Sequence, residues 1–179
     1  NGVNSSTNYL LTSPLEHSVT TLFAEPTTQG AVSLAAVGPT SISVNLGIGN
    51  GTDRLLVVRP SSAVNVFPAD GTAYTPNNNI GSAPNLGSSN FVVGSGSATV
   101  VVTGLSNATT YHFRVFEFNG TGSLVNYNTS STGSSVGSFT TLATEPTSQP
   151  TTLTFNTIGS ASMNGTFTAA APAPTGYLV

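Results

Sequence analysis

The side chains able to do chemistry in this 179-residue chain are few and widely spaced. There are three Arg, six acidic residues and no Cys. His17 and His112 lie far apart, and neither has a carboxylate cluster beside it in the sequence. No nucleophile-elbow pattern is present, and no Gly-rich segment leads into a helix that could hold a phosphate. We therefore predict that the chain is not an enzyme and uses no cofactor and no metal.

Four of the acids could be considered for calcium: Glu25, Asp53, Asp70 and Glu145. Calcium is held by about six to eight oxygens, usually with several converging carboxylates. These acids are widely spaced, and Glu25 and Glu145 each precede a Pro. We interpret them as solvated acids, with calcium binding between modules as the alternative.

Arg59 and Glu117 are the first charged pair that could have a specific role. Alternation along residues 111–118 places Glu117 on the face that carries Tyr111, and Arg59 ends a strand expected to lie alongside. We interpret the two residues as a cross-strand ion pair that closes one end of the core. The alternative is a recognition site of the Arg-Glu kind used by some cell-adhesive domains.

Three aromatic side chains, His112, Phe116 and Phe118, fall on the opposite face of the same segment. An exposed aromatic strip could stack on sugar rings, as carbohydrate-binding modules do. The interpretation we favour is that these residues pack beneath the long connection formed by residues 61–96.

Composition excludes several classes of protein. Only 5% of residues are charged, and the formal net charge is −3. Nucleic-acid binding through phosphates needs clustered Lys and Arg, so this mode is excluded. No apolar run approaches the roughly 20 residues of a membrane helix. A hydrophobic fraction of 37% nevertheless predicts a folded core.

An internal repeat organises the chain. The segment 20–29 (TTLFAEPTTQ) reappears as 140–149 (TTLATEPTSQ). Further along the chain, five positions match five others that lie 121 residues later. The first set is Leu34, Val37, Ile42, Val44 and Leu46, and the second is Phe155, Ile158, Met163, Gly165 and Phe167. A unit of this length is typical of an independent domain. We predict the C-terminal strand region of a preceding repeat over 1–24, a complete domain over 25–144 and the first strands of a following repeat over 145–179.

Within 25–144 the hydrophobic pattern has the period of strands. Strands are predicted over 31–37, 40–46, 54–59, 97–103, 110–118 and 134–142, with a further strand at 91–93. The continuous apolar run at 54–59 indicates a strand buried on both faces. Six or seven antiparallel strands separated by turns predict an all-β protein built from β-sandwiches. The last residues, Tyr177 to Val179, match the strand at 55–58, so we expect this chain to be a window from a longer protein.

Residues 104–115 (GLSNATTYHFRV) resemble the GL-x-P-x-T-x-Y-x-F-x-V motif of fibronectin type III domains. The resemblance implies an Ig-like sandwich in which Leu105 caps the core. It also implies a tyrosine corner in which the Tyr111 hydroxyl bonds to the upstream backbone. Phe113 and Val115 follow Tyr111 on the same face. Leu46 stands where such domains usually carry a Trp.

Three further segments look like the enlarged type III repeats of Bacteroidetes surface proteins: 50–59 (NGTDRLLVVR), 67–74 (FPADGTAY) and 115–120 (VFEFNG). Those repeats occur in very long exported proteins, including gliding-motility adhesins and other clients of type IX secretion. The resemblance implies an extracellular, cell-surface location. It also implies contacts with neighbouring repeats of the same chain and, as further possible partners, with secretion or outer-membrane proteins or surface glycans.

The function we predict is a tandem array that acts as a stalk or adhesive region. A different interpretation is a subunit of an extracellular filament assembled by donor-strand exchange, in which the segment 1–24 completes a neighbour's sheet. A third is an accessory carbohydrate-binding module of a secreted enzyme.

Overall fold

The computed structural model describes residues 18–96 and 99–177. These residues form antiparallel strands joined by long loops, with two short 3-10 turns at Gly122–Leu124 and Gly133–Ser135. The strands, in chain order, are β1 (Val32–Val37), β2 (Ser41–Leu46), β3 (Asp53–Pro60), β4 (Phe91–Ser95), β5 (Thr99–Thr103), β6 (Thr110–Asn119), β7 (Asn126–Tyr127), β8 (Val136–Thr140), β9 (Thr151–Ile158) and β10 (Met163–Thr168). The predicted all-β, antiparallel architecture is confirmed.

Strands β1 to β8 form two sheets arranged like a sandwich. One sheet has the order β1-β2-β5. The other has the order β4-β3-β6, and the long strand β6 pairs with β8 along its first half and with β7 at its end. The side chains between the two sheets form a core that includes Ile42, Leu56 and Phe113, each at most 1% exposed.

The centre of the second sheet is buried on both faces, because the connection between β3 and β4 covers the outer side of β3 and of part of β6. There Leu55, Val57 and Phe116 form a second apolar cluster with residues of the connection, including Val64 and Tyr74. The prediction that the strand at 54–59 is buried on both faces is therefore confirmed. Such double burial explains its uninterrupted apolar sequence, since neither face can carry polar side chains at low cost.

Neutral amide side chains hold many of the loops. The Asn50 side-chain oxygen accepts hydrogen bonds from the backbone N–H groups of Thr27 and Thr28 at 3.0 and 2.8 Å. Asn79 and Asn128 each accept an N–H from two residues further along, an arrangement that mimics a backbone turn. The high Asn content of the chain thus satisfies loop backbone groups that no strand pairs.

The hairpin β9–β10 repeats the geometry of β1–β2. In both, a glycine N–H at the turn donates to a serine carbonyl: Gly38 to Ser41 at 2.8 Å, and Gly159 to Ser162 at 2.7 Å. The strand register shifts next to Leu34 in β1–β2 and next to Phe155 in β9–β10, two points that are again 121 residues apart in sequence. β9–β10 has a second register shift, between Thr166 and Thr168, that β1–β2 lacks. The two hairpins therefore share their turn bond and one of their irregularities.

The two hairpins differ in burial. Ile42 is fully buried in the sandwich core, whereas Met163 in the second hairpin is 59% exposed. The same contrast holds between Leu46 and Phe167. Within the described residues, β9–β10 therefore presents an apolar face that no further strands cover.

The described residues before β1, 18–31, contact the sandwich although they form no strand. The Phe23 N–H donates to the Leu124 carbonyl, and the Asn126 side chain donates to the Phe23 carbonyl at 2.8 Å. Gly120, at a φ of +88°, lies directly under the Phe23 ring, where a side-chain Cβ would come within 2.6 Å of the ring. Position 120 therefore needs a glycine, because glycine adopts a positive φ without strain and has no Cβ to meet the ring.

Two expectations about the chain ends fall partly outside the described residues. The preceding repeat was expected over 1–24, of which 1–17 are not described, so most of the segment of the donor-strand interpretation also lies outside the described residues. The match of Tyr177–Val179 to β3 also includes residues 178 and 179, which are not described. Tyr177 itself lies outside any strand, and its hydroxyl accepts a hydrogen bond from the Ala170 N–H at 2.9 Å. No helix in the described part of the chain is long and apolar enough to cross a membrane.

Candidate functional site

An open groove of about 520 Å³ lies on the outer side of the second sheet. Its lining includes outward side chains of β6 and β8, the start of the β3–β4 connection and the loop that precedes β8. Polar side chains reach it from His112, Arg114, Thr132 and Ser138. A concave surface with a few converging polar groups is the general form of a small-ligand site.

Arg114 is the unusual member of this lining. Its residue is 7% exposed, and its guanidinium carbon lies 4.2 Å from the ring centre of Phe67 and 4.7 Å from that of Phe116. The Nη2 group donates to the Thr129 carbonyl, while the buried Nε has no hydrogen-bond partner. Burial lowers the pKa of the Arg114 guanidinium, and no carboxylate forms an ion pair with it among the described residues.

The two aromatic rings explain how this cation is tolerated. Each ring presents the negative face of its quadrupole to the guanidinium, an attraction worth about 0.5–2 kcal/mol. This offsets only part of the cost of removing a cation from water. Arg114 therefore remains a site of uncompensated positive charge beside the groove.

Arg59 lies near the groove, but its guanidinium already donates hydrogen bonds to backbone carbonyls of the chain. Its Nε and Nη1 donate to the carbonyls of Ser88 and Ala63 at 3.1 and 2.8 Å. These bonds tie the two ends of the β3–β4 connection to the end of β3. Arg59 thus holds the connection in place at the groove, where Ala63 is part of the lining.

The expected pair between Arg59 and Glu117 is wrong. Strands β3 and β6 run antiparallel, so the end of β3 lies beside the start of β6: Arg59 is opposite His112, and Glu117 is opposite Arg54. The Arg54 Nε donates to the Glu117 Oε1 at 2.8 Å, with both side chains at most 5% exposed. An ion pair does close this end of the core, but its arginine is Arg54 and not Arg59.

Glu117 is also held by the loop between β2 and β3. The backbone N–H groups of Gly49 and Gly51 each donate to its carboxylate at 3.0 Å. A Cβ at Gly49 would come within 2.6 Å of the Glu117 side chain and would also meet the Thr28 carbonyl. The Gly-rich sequence at 47–51 (GIGNG) is the signal in the sequence for this cradle. A carboxylate so completely engaged has a structural role rather than one in recognition.

The three aromatic residues His112, Phe116 and Phe118 do not form an exposed strip. Phe116 is fully buried against Phe67, with ring centres 5.5 Å apart. Phe118 is half-buried and packs on Tyr127 at 5.2 Å. Both lie in or beside the apolar cluster under the β3–β4 connection, the arrangement favoured over sugar stacking. His112, partly exposed, lines the groove.

The residues singled out as structural lie together. The set is Leu46, Leu105, Tyr111, Phe113 and Val115, and all five belong to the core between the two sheets. The Tyr111 hydroxyl accepts a hydrogen bond from the Ser106 N–H at 2.9 Å, five residues upstream. Phe113 packs on Phe139 of β8 with ring centres 5.7 Å apart.

Replacing Tyr111 by Phe tests that hydrogen bond. The ring stays in the core, so only the bond to Ser106 is removed, at an expected cost of about 0.5–1.5 kcal/mol in the free energy of unfolding. Urea denaturation measures it. Tyr74→Phe is the matched control, since its hydroxyl accepts the Ala69 N–H at 3.2 Å at an exposed site, and we expect a smaller loss. An equal loss in the two variants would contradict a special role for Tyr111.

Tyr127 provides a pH signature of the second apolar cluster. Burial, followed by the charges of Tyr74 and Asp70, raises the pKa of Tyr127 to about 12 from a usual 10.0. Folding thus favours the neutral phenol, so its contribution to stability is complete below pH 10 and is lost as the pH rises through about 12. We expect a late phenolate transition by ultraviolet absorbance that Tyr127→Phe abolishes. Persistence of that transition in the variant would contradict the assignment.

The remaining acids do not converge. Asp70 accepts the Tyr127 N–H at 2.7 Å, and Asp53 accepts the N–H of its neighbour Arg54. Glu25 and Glu145 are exposed. In the ranges that the structure describes, no three His, Cys, Asp or Glu side chains come close enough to share a metal ion.

Comparison with the models of known protein families gives no match for this chain. A search among curated proteins likewise finds no similar sequence.

Proposed function

We propose that the chain is a non-enzymatic structural and adhesive segment of a long, exported cell-surface protein built from fibronectin type III-like repeats. The observation that carries the proposal is the recurrence of the β1–β2 hairpin in β9–β10. The two share their turn bond and one register shift, and the equivalent residues are 121 positions apart. Repetition of one folding unit along a chain is the basis of an array.

The strand arrangement supports the type III part of the proposal. A three-stranded sheet faces a sheet in which β3 and β6 are central, and the hydroxyl of a tyrosine on β6 bonds back to the preceding turn. The uncovered apolar face of β9–β10 is also in keeping with the first hairpin of another module.

The contact made by Phe23 supports a stalk rather than a string of freely hinged modules. Residues 23 and 24 precede the Glu25-Pro26 junction, and three hydrogen bonds tie them to the end of β6, to the loop that follows it and to β7. Pro26 further fixes the backbone at the junction. A linker docked in this way restricts bending between neighbouring modules and keeps an array extended.

The intact mass of the polypeptide isolated from its source tests the proposal. A mass many times 18.0 kDa, with peptides that carry the recurring TTL…EPT sequence, is the expected result. A mass near 18.0 kDa would overturn it. The uncovered face of β9–β10 would then favour the second candidate, a filament subunit whose hairpin is completed by another subunit.

A further inference from the structure

We propose that the groove between His112 and Ser138 binds the carboxylate-bearing sugar of an acidic polysaccharide, with Arg114 as the group that receives the carboxylate. This inference rests on the adhesive part of the proposed function and names the class of ligand that the module would hold.

The charge at the groove is the first step. Arg114 is one of only three basic residues besides the two His, and each of the other two arginines has its charge engaged elsewhere. Arg54 pairs with Glu117, and Arg59 is held by two carbonyls. Arg114 has one carbonyl partner and no carboxylate among the described residues. A planar guanidinium is well suited to a carboxylate, because it can offer parallel N–H donors.

The surroundings of Arg114 strengthen such a contact. Phe67 and Phe116 keep the guanidinium plane fixed and exclude water from two of its sides. A charge-assisted hydrogen bond is stronger where the local dielectric constant is low. A side chain already held in place also loses little rotamer entropy when a ligand arrives.

The groove's other polar groups favour a sugar over an extended peptide. The backbone of β6 and β8 at the groove is already paired, with His112 opposite Ser138 and Arg114 opposite Val136. Peptide recognition by strand addition needs free backbone groups, which these two strands lack along their shared edge. The groups left free to bond are side chains: the imidazole of His112 and the hydroxyl of Ser138, whereas the Thr132 hydroxyl already pairs with that of Ser134 at 3.3 Å. They match the hydroxyl groups of a sugar ring.

Titration calorimetry of this chain with a galacturonic acid oligomer tests the proposal. The parallel probes are a galactose oligomer of the same length and a poly-glutamate peptide. We expect the acidic oligomer to bind and the neutral oligomer to bind at least about tenfold more weakly, as expected for the loss of a charge-assisted contact. Absence of binding by the acidic oligomer, or equal binding of the neutral one, would overturn the proposal. So would binding of poly-glutamate in place of the sugar.

Variants locate the site. Arg114→Gln should weaken binding of the acidic oligomer by about tenfold or more. Arg114→Lys, which keeps a positive charge, should retain part of the affinity. Ser138→Val places a branched side chain at an exposed groove position and should also abolish binding, which keeps the test decisive if Arg114→Gln does not fold. Ser33→Val is its control, at an exposed position of β1 outside the groove, and should bind normally. Unchanged affinity in Ser138→Val would place the sugar elsewhere. The intact mass does not depend on any of these results, so the two proposals can fail separately.

Discussion

Replacing Glu117 by Gln is expected to lower the free energy of unfolding by about 3–5 kcal/mol, the usual cost of breaking a buried ion pair from one side. The change preserves the shape of the side chain but leaves the Arg54 cation unpaired in a fully buried position. The amide NH2 that replaces one carboxylate oxygen cannot accept a hydrogen bond, so one of the N–H groups of Gly49 and Gly51 also loses its acceptor. Denaturation in urea, followed by circular dichroism, measures the loss.

A background variant separates the ion pair from the loop cradle. In Arg54→Met no cation remains, so the same Glu117→Gln change should cost less than in the unaltered chain. Equal costs in the two backgrounds would mean that the carboxylate acts only through the glycine N–H groups. Glu25→Gln removes an exposed acid and should change stability by no more than about 0.5 kcal/mol.

Replacing Phe116 by Ala is the second change with a large expected effect. The ring is fully buried between the second sheet and the β3–β4 connection, so its truncation should cost about 3–5 kcal/mol. Because Phe67 packs on this ring, the connection should also open locally and expose its aromatic residues. Chymotrypsin should then cleave at Tyr74, which packs on the same cluster, faster than global unfolding alone would allow, since cleavage follows the population of the open form.

Two further variants give the comparison for Phe116. Phe118→Ala removes a half-buried ring from the same face of β6 and should cost clearly less. Phe116→Leu keeps much of the apolar volume and should retain protection of the connection. Resistance of Phe116→Ala to cleavage at Tyr74 would show that the connection does not depend on this ring.

The strands were predictable because the local pattern determines them. Alternation over 110–118 placed Tyr111, Phe113 and Val115 inward and Phe116 outward, and the continuous apolar run at 54–59 indicated burial on both faces. These features depend only on the side-chain period of a strand and on which side chains avoid water.

Pairing between strands was not predictable in the same way. The inward position of Glu117 was readable, but the choice between Arg54 and Arg59 depends on strand direction and register, which hydrophobic alternation does not contain. Arg114 was overlooked although alternation places it between His112 and Phe116. Its importance comes from the absence of a neighbouring carboxylate, a property of the folded arrangement alone.

The asparagine-held loops have a consequence for the surroundings that the fold tolerates. At ordinary salt concentrations, dissolved ions largely screen interactions between exposed charges that lie more than about 8–10 Å apart. The loops at Asn50, Asn79 and Asn128 are fixed by neutral dipoles in direct contact with backbone N–H groups, and such short contacts leave no room for intervening ions. The only ion pair among residues 18–96 and 99–177 is buried. We therefore expect these loop conformations to change little with salt concentration.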